Sequence, residues 1–128
     1  DRSFVPLENV ARQHAAPRRG SDMILKLDCE GCEWPSLDEI SEDVLALFRT
    51  IIIEFHWLEK GGKHDLYLRV MQKLLRRFRL IHTHGTNCYG PWRVLGTEFE
   101  MPRIIEATFV RSDLSAPTTC VVSKYRPL

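Results

Sequence analysis

Residues 50–57, TIIIEFHW, constrain this chain more than any other segment. Three consecutive isoleucines leave no polar face for water, so the run reads as a strand buried on both faces, as in the centre of a parallel sheet. A second short apolar run, MILKLD at 23–28, is bounded by Asp22 and Gly31 and is broken only by Lys26. RLIHTH at 79–84 and RIIEATFVR at 103–111 read as a third and a fourth strand.

Amphipathic segments separate these strands. Pro35 and Ser36 mark a helix start, and Leu37, Ile40, Val44, Leu47 and Phe48 form one apolar stripe that predicts a helix to about Arg49. After Gly61 and Gly62, the stripe Leu66, Val70, Met71, Leu74, Leu75 and Phe78 predicts a second helix from Asp65 to about Phe78. Arg76, Arg77 and Arg79 then suit its negative end. Upstream, Leu7, Val10, Ala11 and His14 have helical spacing, ended by Pro17 and Gly20. Residues 85–102 read as a polar loop, and 112–128 as a tail with a short strand at Cys120–Ser123.

The resulting order is strand, helix, strand, helix, strand, loop, strand. Alternation of this kind predicts an α/β fold with right-handed crossovers and a mostly parallel sheet. The last two strands have no helix between them, so they are expected to pair as a long-looped hairpin with one antiparallel member. At 128 residues the chain suffices for one domain. Residues 23–111 would be its core, 1–22 a lead-in helix and 112–128 the tail. The chain opens at Asp1 in mid-pattern and reads as part of a larger domain.

A net charge of +1 gives no reason to expect nucleic acid or membrane contact. No targeting pattern or membrane-length apolar run is visible, which leaves a cytoplasmic setting as the default. Of the four cysteines, Cys29 and Cys32 have C-x-x-C spacing, while Cys88 and Cys120 form no second pair of the kind a zinc site wants. Asp28, Glu30 and Glu33 crowd the first pair and would blunt its reactivity, so the expectation is two partly buried thiols.

Ligands of open α/β sheets bind beyond the carboxyl ends of the parallel strands. There the first strand offers Asp28 and Glu30 with Glu33 close behind, the second Glu54 and His56, and the third His82, His84 and Asn87. Carboxylate–imidazole pairs satisfy one another at many sheet edges. The same pairs also act as general bases, and two histidines with a carboxylate suit a divalent metal. No G-x-S-x-G elbow supports a serine nucleophile.

Several of these segments resemble the FkbM-type, S-adenosylmethionine-dependent methyltransferases, in particular an animal-type, methyltransferase-like branch. ILKLDCEGCEW (24–34) resembles the family's fourth strand and the turn after it. VPLENV (5–10) is similar to its lead-in, and IIIEFHW (51–57) to its fifth strand. LIHTHGTN (80–87) and PRIIEATFVR (102–111) are similar to a later strand end and to the closing strand. Cys32 stands where the family usually has a small residue such as alanine. The resemblance covers about residues 5–111 and implies the C-terminal half of a Rossmann-like domain with S-adenosylmethionine as methyl donor. It implies O-methylation of a sugar or another small hydroxylated acceptor. Asp28 and Glu30 would lie near the methyl-transfer centre and the cofactor, with Glu54 and His56 catalytic beside them and His82, His84 and Asn87 binding the acceptor. The family's glycine-rich loop and its ribose-binding acid are not among these residues, so the resemblance also implies the N-terminal half of the same fold as a partner. Two rivals remain at this level. One is a degenerate methyltransferase-like binding or scaffold module, and the other a metal-dependent hydrolase built on the His/Glu/Asp set.

Overall fold

The computed structural model describes residues 5–15, 22–86 and 88–114. The Pro17–Gly20 helix stop, Asn87 and the strand at Cys120–Ser123 lie outside them. In chain order the elements are α1 (Leu7–His14), β1 (Met23–Leu27), α2 (Glu33–Glu39), α3 (Glu42–Leu45), β2 (Phe48–Phe55), α4 (His64–Leu75), β3 (Phe78–Gly85), β4 (Pro91–Arg93), β5 (Glu100–Pro102) and β6 (Ile105–Arg111).

The fold is α/β with a mixed sheet in the order β1-β2-β6-β3. β1 pairs parallel with β2, and β6 runs antiparallel to both β2 and β3. β1, β2 and β3 therefore share one direction, and their carboxyl ends share one rim. The expectation of a mostly parallel sheet holds for strand direction but not for pairing, because β6 inserts between β2 and β3 and converts two of the three ladders.

Burial alternates along β2. Phe48, Ile51, Ile53 and Phe55 are buried, while Thr50, Ile52 and Glu54 are only half-buried. The buried set packs with Leu25, Ala107 and Phe109 of the sheet against Trp34 and Leu37 of α2 and Tyr67, Val70 and Leu74 of α4. Trp34 stacks on Phe55 with ring centroids 4.3 Å apart. Each fully buried apolar side chain of this size contributes about 1.5–3 kcal/mol relative to exposure. Ile51 and Ile53 thus bury one face of the strand, against α2 and α4, while Ile52 lies half-buried on the other. On the other face Ile24 is 66% exposed.

The single helix expected from Pro35 to Arg49 is two short ones. Ile40 and Ser41 adopt extended backbone between them. The break is held from outside: Ser41 N–H donates to Glu8 of α1, and the Lys73 ammonium of α4 donates to the carbonyls of Asp38 and Ile40. Phe48, which continues the helical stripe by spacing, instead opens β2. The loop expected over 85–102 contains an antiparallel pair, β4–β5, separate from the main sheet. No helix among the described residues is long and apolar enough to cross a membrane.

Candidate functional site

The turn between β1 and α2 has the most demanding backbone among the described residues. Glu30 has φ +55° and Gly31 φ +104°. A Cβ on Gly31 would stand 2.9 Å from Trp57 Cδ1, so only glycine fits this approach without displacing the indole. Trp57, just past the end of β2, also has a positive φ of +63°, and its Nε1–H donates to the Glu30 carbonyl at 3.2 Å. Non-glycine residues rarely adopt this region, and two of them leaning on one another mark a site where packing over-determines the backbone.

Glu33 organises the turn from within. It is fully buried in the first turn of α2. Its Oε1 accepts from His56 N–H and from His56 Nδ1, both at 2.8 Å, and its Oε2 accepts from Gly31 N–H at 3.0 Å. Trp34 Nε1–H donates to the His56 carbonyl at 2.9 Å. A carboxylate and an indole thus fasten the end of β2 to the start of α2. Sequence reasoning placed Glu33 near the rim without giving it a role. The available signal was an acid directly followed by a large apolar residue at a helix start, which can turn inward with its neighbour.

His56 is 2% exposed. With Nδ1 committed to Glu33, its Nε2 faces the rim, 3.6 Å from Glu30 Oε2. Burial opposes the imidazolium, but the Glu33 hydrogen bond and the charges of Glu33, Glu30 and Glu54 outweigh it, and the His56 pKa is raised. Burial also raises the Glu54 carboxyl, and the neighbouring Asp28 charge adds to it against a partial offset from His56. Ligand atoms of Asp28, Glu54 and His56 all lie within 4.8 Å of one another. The ends of β1 and β2 therefore bring together four of the expected site residues, Asp28, Glu30, Glu54 and His56.

The third strand end stands apart. β6 separates β3 from β2, and Glu54, Glu106 and His84 lie in register across the three strands. Two strand spacings, roughly 9–10 Å, thus divide His84 from Glu54. His82 and His84 are both exposed and face the open side of the sheet. A shift of register between Leu80 and His82 sets that facing: Leu80 lies opposite buried Phe109, whereas His82 lies opposite Thr108. The expectation of three strand ends crowded round one hollow is therefore met by two.

Cys29 and Cys32 are joined in a disulfide, correcting the expectation of two thiols. The left-handed turn through Glu30 and Gly31 brings their Cα atoms to 5.4 Å, within bonding range for cysteines. Cys88 is free and exposed. Compared with protein-family models, curated proteins and solved structures, the chain matches none of them.

Proposed function

We propose that the chain is the acceptor-side half of an S-adenosylmethionine-dependent O-methyltransferase acting on a small hydroxylated molecule. The observation that carries this reading is the convergence of Asp28, Glu54 and His56 at the carboxyl ends of two adjacent parallel strands, where ligands of α/β sheets bind. The antiparallel strand β6 supports this reading, since the resemblance implies a closing strand over residues 102–111. β1 is an edge strand whose outer side has no partner among the described residues. That edge and the open face beside Ile24 leave room for a preceding half of the same sheet.

The residues present fit the acceptor side of such a site and not its cofactor cradle. Gly61 and Gly62 follow β2, but a Cβ on Gly62 would meet nothing within 4 Å, so they make no close-approach loop. Bound S-adenosylmethionine would supply an electrophilic methyl group on a cationic sulfur. The anionic rim formed by Asp28, Glu30 and Glu54 complements that charge. An acceptor hydroxyl directed at the Asp28–Glu54–His56 group loses its proton there and becomes a competent nucleophile. Glu33 positions His56 through Nδ1 and does not itself face the rim. The Cys29–Cys32 bond favours an oxidising compartment over the cytoplasmic default.

Calorimetric titration of the full-length protein with S-adenosylmethionine tests the reading. Saturable binding at one site per chain is expected. A protein without measurable heat or competition by the demethylated product is a scaffold, and the enzymatic reading ends there.

A further inference from the structure

We propose that Asp28, Glu54 and His56 form a binding site for a divalent metal cation. The proposal rests on the methyl-transfer reading only for the purpose of the ion, which would hold and acidify the acceptor's oxygens.

The donor atoms are already gathered. Ligands about 2.1 Å from a common ion stand roughly 3–4 Å apart, and these three offer atoms within 4.8 Å of one another. Small rotations of the exposed Asp28 side chain close the remainder. The imidazole gives a second and independent indication. His56 is 98% buried, and Glu33 holds its Nδ1, which leaves Nε2 as the ring atom turned to the rim and able to coordinate an ion that displaces its proton. Nε2 lies 3.6 Å from Glu30 Oε2 at the rim, and a donor atom of the ring lies within 4.8 Å of those of Asp28 and Glu54. A buried carboxylate orienting a histidine whose other nitrogen points into a ligand set is the outer-shell arrangement of metal-bound imidazoles.

The positive charges of His56 and Lys26 offset the Glu54 carboxyl only in part. Among the described residues neither Asp28 nor Glu54 has a basic ion-pair partner. Lys26 of β1 pairs with Glu106 at 3.7 Å and acts on Glu54 without an ion-pair contact. The neighbouring set Cys29, Cys32 and Glu33 is not a competing site, because its sulfurs are bonded to each other and its carboxylate is spent on Gly31 and His56. Two oxygen donors and one nitrogen suit manganese, iron(II) or zinc better than calcium, which prefers oxygen alone. Three protein ligands on an open rim leave coordination positions free for a hydroxyl, whose proton a bound cation makes easier to remove.

Manganese titration of the full-length protein, followed by the electron paramagnetic resonance of the free ion, tests the site. One ion per chain is expected, with Asp28→Asn and Glu54→Gln each weakening it at least about tenfold. His64→Ala, on the exposed start of α4, should leave it unchanged. Lack of saturation up to about 1 mM manganese overturns the site. So does saturable binding that both carboxylate variants leave intact. Manganese bound tightly by a protein that takes no S-adenosylmethionine would uphold the site and end the methyl-transfer reading. Cofactor binding with no manganese would do the reverse.

Discussion

The β1–β2 end of the rim and the β3 end carry similar residue types in very different settings. At the first, Glu33 is fully buried with three donors on it, His56 is sequestered, and Trp57 braces the Glu30–Gly31 turn. At the second, His82 and His84 stand exposed on an edge strand, followed by the small β4–β5 pair. Buried polar groups in a satisfied network hold one geometry, since each alternative leaves a donor or acceptor unpaired. Exposed imidazoles have water as an alternative partner and no such constraint. A preorganised geometry belongs to the first region, and side chains free to adapt to the second.

The sharpest way to break this contrast is to truncate one side chain at each end. Glu33→Ala leaves His56 Nδ1, His56 N–H and Gly31 N–H without their acceptor, and should cost about 3–5 kcal/mol in urea unfolding. His84→Ala should stay within about 0.5 kcal/mol by the same measurement. Equal losses would show that the two ends are held alike.

Two glycines sharpen it at smaller scale. Gly31→Ala places a Cβ 2.9 Å from the Trp57 indole at φ +104° and should cost about 2–3 kcal/mol. Gly90, at φ +65° before β4, has nothing within 4 Å of a built Cβ. Gly90→Ala should lose only the conformational penalty, about 1 kcal/mol. Thermal melts of the pair separate crowding from backbone preference.

The smallest expected effect concerns pH. α2 carries Glu33 at one end and Asp38 at the other, where hydrogen bonds from Arg69 of α4 hold the Asp38 carboxyl below its ordinary pKa, with Lys73 adding to the effect. A carboxyl with a lowered folded pKa contributes stability that is complete above its unfolded value and is lost as pH falls through the folded one. Asp38→Asn should therefore lower stability at neutral pH and flatten this part of the acid limb. A denaturation series from neutral pH downward, run on both proteins, reads the difference, and parallel curves would remove Asp38 from the clamp.

Much of the sheet was legible because its strands are short apolar runs with clear boundaries, such as Asp22 and Gly31 around MILKL. The break at Ile40–Ser41 was not, since Glu8 and Lys73 impose it from elements more than thirty residues away. Phe48 misled for a related reason: its spacing from Val44 fits a helix, and only the parallel ladder with β1 makes it a strand residue. β4 and β5, three residues each and both containing proline, have no alternating pattern to read. At the site, the rule of strand carboxyl ends gathered Asp28, Glu30, Glu54 and His56. It placed His82 and His84 too near them because lateral strand order is a property of the closed sheet, and β6 comes late in the chain. Glu33 was placed at the rim without a role, because its burial depends on donors supplied by the turn and by β2.

Ile81 is the supernumerary residue of β3, sitting where the ladder skips from Leu80 to His82. Were it to take Thr108 as its own partner instead of bulging, every later side chain of that strand would roll over. Both imidazoles would then meet the helical layer, and Thr83 would look outward in their stead. The basic nitrogens of this outer strand therefore owe their orientation to a parity rule, and absorbing the bulged residue into the ladder would act on them as a complete inversion.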